Sequence, residues 1–136
     1  LVPWLWLRCT VRAIKMAKLY KITKNANQER ADVLIDNIEL AVSFFERAKG
    51  LLGRSELSAN QALWIKPCNN IHTYFMKFTI DCVFLNKNNK IEKVFTGVKP
   101  FRIKGPVWKA HSVIEFSEGF IQKWDLKPGD QLHVVN

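Results

Sequence analysis

The sequence predicts a single, mainly β domain with two short helices (α+β), folded as a β-sandwich or curled barrel whose open end the helices cover. Three observations carry this expectation. Short runs of apolar, aromatic and β-branched residues recur between clusters of turn formers. Only one stretch opens with a complete helix-start signature. The 136 residues, 48% of them apolar, suffice for one hydrophobic core without disulfides or a structural metal.

The first fifteen residues, LVPWLWLRCTVRAIK, differ in character from the rest of the chain. The apolar run over residues 1–7 is far shorter than the roughly 20 residues of a membrane span. The cations Arg8, Arg12 and Lys15 come after that run, whereas a secretory signal carries its positive charge first. Met16 is therefore the expected start, and residues 1–15 are expected to be an upstream artefact or a disordered tail, with a weak interfacial anchor as the alternative. With no membrane span and no signal, and with three cysteines (Cys9, Cys68, Cys82) that cannot all pair and form no CxxC, a reducing cytoplasm is the expected compartment. No metal or other cofactor is expected.

From Met16 onward the elements can be read in order. Residues 19–23 and 33–35 read as strands, the second closed by the turn formers Asp36 and Asn37. Ser43 opens the one long helix: in SFFE the Ser43 hydroxyl can accept from the Glu46 amide while Glu46 reaches back. Phe44, Ala48, Leu51 and Leu52 then share a helical face, Gly53 ends the helix, and Arg47 and Arg54 lie at its margin. Residues 62–65, 72–76 and 80–85 read as buried strands. The polar turn NKNN makes 80–85 and 91–98 a hairpin. Residues 99–109, with two prolines and Gly105, form a loop, and a strand returns over 112–116. Ser117 is placed to cap a short helix through Trp124, residues 127–130 (KPGD) turn the chain, and 131–135 is the last strand.

Within this order RAKGLLGR (residues 47–54), ALWIKPCNNIHTYFMKFTIDCVFL (62–85), VIEF (113–116) and KPGD resemble the Domain-of-Unknown-Function 192 family, over nearly everything after Ile38. The matching positions are Arg47, Gly50, Leu51, Arg54, Phe75, Met76, Lys77, Asp81, Gly129 and Asp130. Leu52 stands where the commoner form has methionine, and KFT comes after Met76 where lysine, asparagine and threonine are common. The resemblance implies a jelly-roll-like sandwich. It implies little about function, and many relatives look exported.

The chemistry-bearing residues concentrate between Cys68 and Leu85, where cysteine, histidine, lysine and aspartate interrupt an apolar run. Cys68 with His72 would make a nucleophile and base, but on an extended strand four residues span roughly 13 Å, so a structural Cys68 and a hydrogen-bonded His72 are expected. Asp81 and Glu115 each stand alone in an apolar strand. They would serve a hydrolase or transferase as acid and base if they shared a cavity, but ion pairs with Arg47 and Arg54 are the expected arrangement.

Three functions are compatible with these residues, in order of preference. The first is a non-catalytic module binding a small anionic ligand or a protein through Arg47, Arg54, His72, Met76, Lys77 and Asp81. An enzyme using Asp81 with Glu115, or Cys68 with His72, is second. The third is a binder of single-stranded nucleic acid through loop 99–109, whose Lys99, Arg102, Lys104 and Lys109 accompany Phe101 and Trp108 without any acid; the plain alternative is an ordinary loop with its aromatics tucked into the core. The formal charge of +9, of which three lie in residues 1–15, suits anionic partners generally and names none.

Overall fold

The computed structural model describes residues 17–135; the expectations for residues 1–15, Cys9 and Met16 lie outside them. The chain forms β1 (Ala17–Asn25), β2 (Gln28–Ala41), α1 (Phe44–Lys49), β3 (Gln61–Ile65), β4 (Ile71–His72), β5 (Ile80–Leu85), β6 (Ile91–Val98), β7 (Ile103–Lys104), β8 (Ser112–Ser117), α2 (Phe120–Lys123) and β9 (Gln131–Val135). Seven strands build one mixed sheet in the order β6-β5-β8-β3-β2-β1-β9, and β4 and β7 pair separately. The domain is thus mainly β with two short helices, as the sequence predicts. The sheet does not close into a barrel, but its edges touch at one point. Lys90 bridges Gln131, the Ile91 amide donates to the Asp130 carbonyl at 2.9 Å, and the Gly129 amide donates to the Ile91 carbonyl at 2.8 Å. The KPGD turn presents those groups: Gly129 holds φ at 94°, and Asp130 accepts from the Lys127 amide and pairs with Lys21 at 3.2 Å.

β5, β8 and β3 are apolar on both faces because both faces are covered. On one face Val83, Leu85, Ile114, Phe116 and Trp64 pack against β1, β2, β9 and α2, with the rings of Phe116 and Phe120 stacked at 4.1 Å. On the other, Cys82, Phe84, Val113, Leu63 and Ile65 are roofed by connecting segments that contribute Leu51, Leu57, Ile71 and Met76.

Several local expectations are corrected. β2 does not end at Asp36 and Asn37, because β1 on one side and β3 on the other absorb its backbone groups through Ala41. The turn falls instead at residues 26–27, between paired Asn25 and Gln28. The capping box forms as read, with Ser43 Oγ accepting from the Glu46 amide at 3.1 Å and Glu46 Oε2 accepting from the Ser43 amide at 3.0 Å. The helix then stops at Gly50 rather than Gly53, buries none of its residues, and leaves Phe44 exposed. Of the expected strand 72–76 only His72 pairs, in the two-residue β4 that begins at Ile71, since Phe75 turns the chain with φ at 63°.

Ser117 does not cap α2, whose N-terminus is served by Asp81. One carboxylate oxygen accepts from the Ile121 amide at 3.0 Å and the other from the Gly97 amide at 2.9 Å. The buried Asp81 therefore ties β5 to β6 and α2 with two charge-assisted hydrogen bonds, in place of the ion pair expected from the sequence. No helix among the described residues is long and apolar enough to cross a membrane.

Removing that carboxylate strands two amides, each worth about 1–3 kcal/mol when left unpaired in a protein interior. Asp81→Ala is expected to lower the unfolding free energy by roughly 2–4 kcal/mol in urea titrations, and Asp81→Asn, which keeps one acceptor oxygen, by less. An Asp81→Ala protein as stable as the parent would show that the latch contributes nothing.

A cavity beneath the first helix

The ladder between β8 and its neighbours decides which acids can meet. Cys82 opposes Glu115 and Asp81 opposes Phe116, so Glu115 and Asp81 project from opposite faces of the sheet. They share no pocket, and the acid and base pair weighed from the sequence is not formed. On the Glu115 face a row crosses the sheet from Glu39 through Leu63 and Glu115 to Cys82. Arg54 goes to the outer member of that row, forking onto Glu39 through Nη1 at 3.0 Å and Nη2 at 2.6 Å. This pairing raises the Arg54 pKa. The ion pair of Arg54 with Asp81 or Glu115 that the sequence predicts is therefore not formed, because β2 runs on past Asn37 and brings Glu39 to Arg54.

Glu115 lies at the floor of a cavity of about 300 Å³. α1 and the turn after it supply Arg47 and Leu52, β3 supplies Ile65, and the segment after it supplies Cys68, His72 and Met76. Of the residues singled out in the sequence, the fold thus gathers Arg47, Cys68, His72, Met76 and Glu115 here. It sends Arg54 to Glu39, Asp81 to the other face, and Lys77 outward as an exposed side chain.

Burial pushes the Glu115 carboxyl up to about 7, against a smaller lowering by Arg54. Its Oε2 is buried without a hydrogen-bond partner, and so is Arg47 Nε, while Arg47 Nη1 donates to the Pro67 carbonyl at 3.1 Å. The Cys68 thiol donates to the Asn70 carbonyl at 2.9 Å, and burial raises its pKa, against a smaller lowering by the Asn70 backbone. Cys82 is fully buried in the apolar face, and burial raises its thiol too. His72 is exposed at the rim, its ring 5.3 Å from that of Tyr74.

The wall carrying Cys68 to Met76 is held by the segment 99–110. Thr73, fully buried, is the junction: its hydroxyl donates to the Lys99 carbonyl at 2.6 Å and accepts from the Arg102 amide at 2.9 Å, while its own amide donates to the Arg102 carbonyl at 2.8 Å. Gly105 lets the backbones meet, since with φ at 102° a Cβ there would sit 2.7 Å from the Asn69 carbonyl oxygen. The two aromatics of this segment do not tuck into the core, for Phe101 and Trp108 are both exposed. Thr73 was not singled out in the sequence, although a lone hydroxyl amid His72, Tyr74 and Phe75 is the visible trace of such a junction.

The Domain-of-Unknown-Function 192 family model, described as an uncharacterized ACR, matches residues 22–134. The chain is 34% identical over 102 residues to UPF0127 protein PH1112 of Pyrococcus horikoshii, covering 70% of this chain and 84% of that one. It is 29% identical over 109 residues to a UPF0127 protein of Thermococcus gammatolerans, covering 76% and 70%. Among solved structures, a protein of unknown function from Novosphingobium aromaticivorans superposes with a TM-score of 0.73 at 18% identity, covering 91% of this chain and 89% of that one. A proposed transcription regulator from Sinorhizobium meliloti superposes with a TM-score of 0.69 at 17% identity, covering 87% and 93%. At these identities the two superpositions establish the fold alone.

Glu115 makes stability depend on pH. Between pH 4.5, its ordinary value, and about 7 the unfolded chain has released a proton that the folded protein retains. The Glu115 contribution to stability therefore falls as pH rises through that window and is level above it, a change of about 3 kcal/mol in all. Urea midpoints measured across the window should show that slope in the parent and its loss in Glu115→Gln; an identical slope in both would assign it elsewhere.

Proposed function

The chain belongs to the Domain-of-Unknown-Function 192 family, whose name carries no activity, and we propose from the cavity that it is a non-catalytic module binding a small carboxylate or similar anion with an apolar body. The observation that supports this reading is the pair of buried polar atoms, Arg47 Nε and Glu115 Oε2, left without partners at a cavity otherwise walled by Leu52, Ile65 and Met76. Buried polar atoms left unpaired in the free protein carry a standing cost that a ligand can relieve. The guanidinium is already anchored on Pro67, so Nε–H is pre-aimed. A neutral Glu115 carboxyl can donate to a second ligand oxygen. The volume lies at the small end of ligand sites.

The enzymatic alternative draws less support from the same groups. Cys68 reaches the cavity with His72, but its thiol donates to Asn70 and burial favours the protonated form, the opposite of an activated nucleophile. Asp81 and Glu115 are separated by the sheet.

Titration of a panel of small aliphatic and aromatic carboxylates, followed by methyl and guanidinium NMR resonances, tests the proposal. At least one should shift Met76, Ile65 and Arg47 Nε–H, and Arg47→Met should weaken its binding about tenfold or more. An anion needs Glu115 protonated, so affinity should fall toward tenfold per pH unit above about 7. Glu115→Gln should bind without that dependence. A panel that leaves these resonances unmoved would overturn the reading.

A further inference from the structure

Beyond the cavity rim the same two segments build a second surface. From His72 the rings continue outward through Tyr74 and Phe101, whose centroids lie 6.1 Å apart, to Phe75, 5.7 Å from Phe101. Phe75 is 77% exposed, Ile103 60% and Phe101 54%. Both phenylalanines sit at positive φ, 63° and 60°, a region bulky side chains rarely occupy. The Thr73 hydrogen bonds hold them there, so the fold keeps a strained backbone at two positions whose rings face water. Residues 66–77 and 99–111 carry Lys66, Lys77, Lys99, Arg102, Lys104 and Lys109 and no acid. None of the six forms an ion pair among the described residues.

We infer that Phe75, Phe101 and Ile103, with Lys77, Lys99 and Arg102, form a docking surface for an anionic lipid membrane. Apolar groups at a rigid tip enter the boundary between headgroups and acyl chains, while cations on the same segments meet lipid phosphates and carboxylates. Charge complementarity favours an anionic occupant, since a surface of one sign lacks the acids an average protein partner would answer. Ile103 favours lipid over nucleic acid: an aliphatic side chain beside the rings has no stacking face for a base, whereas hydrocarbon accepts it. The rings also spend edges and faces on one another in T-shaped contacts.

Co-sedimentation of the full chain with vesicles of phosphatidylcholine alone, and of phosphatidylcholine mixed with phosphatidylserine, tests this. The chain should sediment with the mixed vesicles and not with the neutral ones, and added salt should weaken the binding. Phe75→Asn combined with Phe101→Asn should cut partitioning at least about tenfold without lowering the melting temperature, because asparagine tolerates positive φ. Should that variant fail to fold, Lys77→Glu with Arg102→Glu, which leaves the rings in place, should do the same. Equal sedimentation with both vesicles, or variants that bind like the parent, overturns the proposal. So does binding of labelled oligothymidylate that the asparagine substitutions abolish in a chain that ignores vesicles, which would give the surface to nucleic acid.

Discussion

One register relation, Cys82 against Glu115 and Asp81 against Phe116, sorts the chemistry of this protein. A strand buried on both faces has nowhere to hide a charged side chain, so each acid in β5 and β8 must be dealt with on the face it occupies. Asp81 meets two amides, one of them at the start of α2, and becomes a structural latch. Glu115 meets leucine, cysteine and a cavity, and is left with an unpartnered oxygen and a strong preference for its proton. A slip of one residue would exchange these environments and put both faces in conflict with their neighbours.

The contrast separates two meanings of a buried acid. In both cases the sequence shows the same thing, a lone carboxylate in an apolar run, and an arginine margin nearby makes ion pairs the natural guess. Arg54 goes instead to a third acid, Glu39, across the parallel pair of β2 and β3, and Arg47 donates to the Pro67 carbonyl. Which carboxylate wins an arginine depends on strand order, and parallel neighbours joined across a helix are invisible to local pattern.

What was legible came from short-range chemistry. The capping box at Ser43, the NKNN hairpin, the KPGD turn and the strands 62–65, 80–85 and 131–135 are each specified by residues adjacent in the chain, and they appear where read. What failed depended on partners far away. β2 outlasts its turn formers because two neighbouring strands occupy its backbone, α2 takes its cap from residue 81 rather than 117, and the apparent strand 72–76 is broken by a phenylalanine that Thr73 and the opposite segment hold at positive φ. The cavity was half legible: its side chains were named, but the face they share was not.

The pairing of β1 with β9 has a kinetic meaning. Lys18 lies against Val135 and Leu19 against Val134, so residues from the two ends of the described chain must meet before the seventh strand is in place and the Leu19 side of the core is closed. Contacts of such sequence separation pay loop-closure entropy before returning any stabilisation, which makes folding slow relative to chains of local contacts. A growing chain on the ribosome can form its hairpins early, yet it leaves β1 with one edge unpaired until β9 emerges. The clasp between Lys90 and Gln131 waits for the same strand. For this domain an edge strand distant in sequence from its partner is the one that completes the sheet.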